Sequence, residues 1–158
     1  MFYLLYLYFA DFAQDYPLLN LLQYQTVRVG LALFTGLFVA IAMGSRFIDW
    51  MRSKQGKGQP IRKDGPASHL ATKQGTPTMG GLMILAGVFA GTLLWADITN
   101  IYVLVVLFVT GAYGLLGFLD DYDKVTKQHH AGLTGKQKLA AQFAVAIVAA
   151  GILVAFAP

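Results

Sequence analysis

Four stretches of this chain carry no charged residue: 29–45, 74–96, 98–119 and 139–158, of 17, 23, 22 and 20 residues. A bilayer core about 30 Å thick is crossed by roughly 20 apolar residues, each rising 1.5 Å along a helix. The first run reaches that length when Arg28 and Arg46 snorkel at its ends. The spacing therefore predicts an all-α polytopic membrane protein with about four transmembrane helices, near 25–48, 77–96, 100–119 and 138–157. These form a single membrane domain over 1–158. Buried helices of a large soluble protein are the competing explanation, but only 13% of residues are charged and 56% are hydrophobic. A soluble domain carries about 25% charged residues.

Lysine and arginine set the orientation. The 46–73 connection holds seven basic residues and the 120–138 connection four, leaving only Arg28 of the twelve for the other side. The positive-inside rule places both basic loops in the cytoplasm and the N-terminus and the turn "WADITN" outside. The net charge of +4 is thereby accounted for without nucleic acid. Cysteine is absent, which excludes disulfides and thiolate chemistry. The opening "MFYLLYLYFADF" lacks the basic region and cleavage site of a signal peptide. It reads as a short interfacial helix, or equally as a frayed tail over 1–15.

The costly residues sit at the ends of the apolar runs. In "GFLDDYDK", Asp120 and Asp121 close the third run. At a helix C-terminus each runs against the dipole by roughly 0.3–1 kcal/mol. Lys124, four residues after Asp120, or a divalent cation would offset that. Two hard carboxylates suit Mg²⁺, which takes one or two of them plus phosphate oxygens. A solvated helix end is the plainer reading, and Asp123 fits it best.

In "KQGTPTMGG", Thr76 and Pro77 form a helix start beside Lys73, and a helix N-terminus favours an anion. Gly80 and Gly81 would admit a close neighbour. In "TGKQK", Thr134 and Gln137 have capping-box spacing. Lys136 and Lys138 there oppose the dipole unless an anion is near, or simply anchor the helix. The adjacent His129 and His130 lack further ligands at metal-binding spacing. Together these residues point to a phosphate or metal site on the cytoplasmic surface.

The segments "GQPIRKDGPASH", "KQGTPTMGG", "GFLDDYDKV" and "GLTGKQKLAAQ", in this order, resemble phospho-N-acetylmuramoyl-pentapeptide transferase over essentially all of 20–158. This family lies in the polyprenyl-phosphate sugar-phosphate transferase superfamily. The resemblance implies transfer of phospho-MurNAc-pentapeptide from UDP-MurNAc-pentapeptide to undecaprenyl phosphate, giving lipid I and UMP for peptidoglycan synthesis. With it come Mg²⁺ as cofactor, a multi-pass place in the bacterial inner membrane with the active face cytoplasmic, and room for a homodimer. Carried over by motif, Asp120, Asp121 and Lys124 are catalytic, and Asp120 and Asp121 meet the metal. Lys73, Thr78 and Lys138 bind substrate.

The family's chains are longer, and their remaining asparagine, aspartate and histidine motifs have no counterpart here. This chain is thus expected to hold about half a site and to be inactive alone. A non-catalytic membrane module that binds the lipid carrier or a partner subunit is the alternative. An ion carrier is disfavoured because every acid lies at or beyond a span end.

Overall fold

The computed structural model describes residues 1–9, 16–55, 80–127 and 132–156, and every regular element among them is helical. In chain order these are α1 (Phe2–Tyr8), α2 (Pro17–Asn20) with a 3₁₀ turn at Leu21–Gln23, α3 (Gln25–Gln55), α4 (Gly81–Trp95), α5 (Ile101–Lys127) and α6 (Gly135–Phe156). Three of them, α3, α5 and α6, are long and apolar enough to cross a membrane. The fourth, α4, is apolar but shorter: its 15 residues span about 22 Å at 1.5 Å each. Residues 77–79, the expected start of that span, lie outside the described residues.

The burial pattern is that of a protein dissolved in lipid. Phe34, Phe38 and Ile41 on α3, and Ile147 and Val154 on α6, are exposed. Buried hydrophobic side chains among the described residues are few: Met51, Val105, Leu107 and Ala149. Lipid tails are as apolar as these side chains, so helix association there relies on close packing rather than on burial from water. Small residues supply it. Helices α3 and α4 cross where Gly36 faces Gly87 and Ala32 faces Gly91. A Cβ on Gly87 would stand 2.6 Å from the Gly36 carbonyl oxygen, so the backbones themselves are in contact. Gly87 and Gly91 make a G-x-x-x-G pair on one face of α4. Among the described residues the close approach expected at Gly80 and Gly81 is not found, since a Cβ at either meets nothing within 4 Å.

The end of the bundle opposite the lysines is aromatic. Helix α1 packs Phe2 on Trp95, ring centroids 4.9 Å apart, and Tyr3 under the Arg28 guanidinium at 3.7 Å. Trp95 donates its indole N–H to the Thr35 hydroxyl at 2.8 Å. Amphipathic rings and a cation of this kind gather where hydrocarbon meets water. The α4–α5 turn is closed by Asp97, whose carboxylate accepts from the Thr99 N–H at 3.0 Å and its hydroxyl at 2.6 Å. Asn100 then caps α5 through the Tyr102 N–H at 2.9 Å.

Candidate functional site

Helix α5 does not stop at residue 119. It runs to Lys127, which puts Asp120 and Asp121 inside the helix rather than at its C-terminus. The local sequence explains the extension. Asp120 pairs with Lys124 at 2.7 Å and Asp123 with Lys127 at 2.6 Å, both acid-before-base at i,i+4, the stabilising orientation. Lys124 and Lys127 also occupy the last turn, where cations suit the dipole. Asp123, the acid expected to be solvated, therefore has a partner.

Asp120 is 8% exposed and is the buried charged residue among those described. A buried carboxylate persists only when paired and hydrogen-bonded, and three donors meet it. Lys124 Nζ reaches Oδ2 at 2.7 Å. Oδ1 accepts from the Leu133 N–H at 2.8 Å and lies 2.9 Å from Lys138 Nζ. One carboxylate thus joins α5, the segment entering α6, and the first turn of α6. That first turn is fixed by the expected capping box: the Gln137 side chain accepts from the Thr134 N–H at 3.0 Å, and the Gln137 N–H reaches the Thr134 hydroxyl at 3.4 Å.

Asp121 is freer. Its side chain is 34% exposed and lies 3.6 Å from Lys124. Both aspartates line a cavity of about 340 Å³ together with Gly81, Leu82, Leu85, Gly114 and Gly117, so the start of α4 and the acid pair of α5 share one space. Lys138 joins the cluster, whereas Lys136 is exposed. Lys73, Thr78, Thr76, Pro77, His129 and His130 lie outside the described residues. The reading from sequence missed Gly132 and the Leu133 N–H. The available signal was a glycine two residues before the capping threonine.

Among the described residues no group of three or more His, Cys, Asp or Glu could hold a metal ion. The donors present still suit a hard cation. Mg²⁺ needs only one or two protein carboxylates when phosphate oxygens and water complete its shell. Asp121, partly exposed in the cavity, offers carboxylate oxygens of that kind, with Asp120 adjacent.

The fold and the cluster define a polytopic α-helical membrane protein with paired carboxylates and lysines gathered at one end of its helices. The chain is similar to the N-terminal part of the phospho-N-acetylmuramoyl-pentapeptide-transferases. Signature 1 of that family matches residues 73–85. A phospho-N-acetylmuramoyl-pentapeptide-transferase of Caulobacter vibrioides is 63% identical over 158 residues, covering 100% of this chain and 43% of that protein. Proteins of the same name from Phenylobacterium zucineum and Maricaulis maris are 60% and 55% identical, covering 99% and 92% of this chain. The chain spans about two fifths of the length of these relatives (42% and 40% for the last two).

Proposed function

We propose that the complete protein transfers phospho-MurNAc-pentapeptide from UDP-MurNAc-pentapeptide to undecaprenyl phosphate, forming lipid I and UMP at the cytoplasmic face of the bacterial inner membrane. A phosphate oxygen of the lipid attacks the sugar-linked phosphorus, and the bond to UMP breaks. Such transfer depends on positioning and charge neutralisation more than on covalent help from the protein. The observation that carries the reading is the joining of Asp120, Asp121, Lys124 and Lys138 beside the start of α4.

In this reading Asp120 stays ionised between its lysines and orients them toward substrate phosphates. The more exposed Asp121 meets the metal or takes the remaining proton of the acceptor phosphate. Lys73 and Thr78, from the segment before α4, contact the nucleotide-sugar. Mg²⁺, when bound, would be held by Asp121 with Asp120 and would neutralise phosphate charge.

The test is UMP release by the complete protein with both substrates. Asp120→Asn and Asp121→Asn should each lower it at least about 100-fold, the scale of a lost acid–base or charge-stabilising group, with membrane insertion unchanged. Release at the wild-type rate in both variants refutes the assignment.

A further inference from the structure

Gly132 has a left-handed backbone, with φ +41°. A Cβ built there would overlap Asp120 Oδ1 and stand 2.9 Å from Lys124 Cε. The next residue, Leu133, donates its N–H to the same Oδ1 at 2.8 Å, and Lys138 lies 2.9 Å from it. The chain entering α6 is therefore laid directly against the carboxylate, and the contact is possible because residue 132 has no side chain. Two requirements coincide there, a positive φ and empty space, and they are separable. Asparagine tolerates the left-handed region better than other residues with a Cβ, but it fills the space just as alanine does.

We propose that Gly132 is a positioning residue for Asp120. By letting the backbone close onto Oδ1, it fixes the carboxylate and, through it, the places of Lys124 and Lys138. The consequence for catalysis rests on the function proposed above; the positioning itself does not.

The experiment reads the two apart. In native membranes containing the complete protein, an amine-acylating reagent is applied and labelling at Lys124, Lys138 and the exposed Lys136 is followed by mass spectrometry. Gly132→Ala and Gly132→Asn should both raise labelling of Lys124 and Lys138 several-fold and leave Lys136 unchanged. Both should lower kcat for UMP release by about 10- to 100-fold, the effect of misplacing a catalytic group by about 1 Å. Gly135→Ala, where a Cβ meets nothing within 4 Å, should leave labelling and turnover as they are.

Unchanged labelling in Gly132→Ala overturns the proposal. So does wild-type labelling in Gly132→Asn alone, which would make residue 132 a turn glycine and nothing more. Raised labelling with unchanged kcat leaves the positioning intact and removes Asp120 from the reaction. Should Gly132→Ala fail to accumulate, the unmodified protein still decides: equal labelling of Lys124, Lys138 and Lys136 overturns the proposal.

Discussion

Lys138→Met removes one of three donors to a buried carboxylate and cuts a tie between the ends of α5 and α6. At the observed 2.9 Å, two unit charges attract by about 6 kcal/mol at an effective dielectric of 20. Most of that is offset. The Lys138 side chain is 38% exposed and regains water when released, and Lys124 already neutralises the carboxylate at 2.7 Å. Exposed ion pairs couple by about 0.2–1 kcal/mol, and hydrogen bonds to charged groups contribute about 1.5–3 kcal/mol. This half-exposed pair belongs between the two, at about 1–2 kcal/mol.

The assay is a double-mutant cycle on the complete, substrate-free protein in nanodiscs. Thermal unfolding is compared for wild type, Lys138→Met, Asp120→Asn and the double variant. This chain spans 43% of its Caulobacter vibrioides relative, and at the length of the complete protein the melting temperature shifts by about 1–2 °C per kcal/mol, so the double variant should melt about 1–4 °C above the additive expectation. Additivity to within about 0.3 kcal/mol refutes the reasoning. Lys138 would then be a solvated residue that happens to lie near Asp120.

Gly87→Leu drives a side chain into the Gly36 backbone at the α3–α4 crossing and should destabilise the protein by about 1–3 kcal/mol, as overpacking does. Heat-induced loss of monodisperse protein reads this, and a wild-type profile would mean the helices do not cross there. Thr134→Ala removes one half of the capping box and should cost about 1 kcal/mol. It is read as a small fall in melting temperature and faster amide exchange in the first turn of α6. No change in exchange at 135–138 counts against the cap.

Much of this architecture can be seen in the sequence because membrane helices announce themselves by missing charge. The capping box at Thr134 and Gln137 was equally visible, since its signal is local and its spacing is fixed. The true end of α5 was not. The charge-free run ends at residue 119, and although Lys124 stands four residues after Asp120, the structure is needed to show two i,i+4 pairs carrying the helix on to Lys127. In the sequence Gly80 and Gly81 read as glycines that admit a close neighbour, whereas the α3–α4 crossing uses Gly36, Gly87 and Gly91. Both glycine sets are in the sequence, and only the relative placement of α3 and α4 selects between them. The motif singles out Lys138. Its tie to Asp120, and the part played by the Leu133 N–H, depend on a tertiary contact across 13 to 18 residues that no local pattern encodes.

The acid–lysine cluster also has a sum. Asp120 and Asp121 against Lys124 and Lys138 come to zero formal charge, and the neighbouring Asp123–Lys127 pair adds nothing to it. Among the described residues of the cluster, a phosphate ester arriving alone finds no excess of positive charge, only lysines that already have counter-ions. It is attracted if it brings a cation of its own, or if it takes over a lysine from a carboxylate. The cluster then behaves less like a basic patch than like an ion exchanger at rest, in which an incoming anion is held to the extent that a resident one is released.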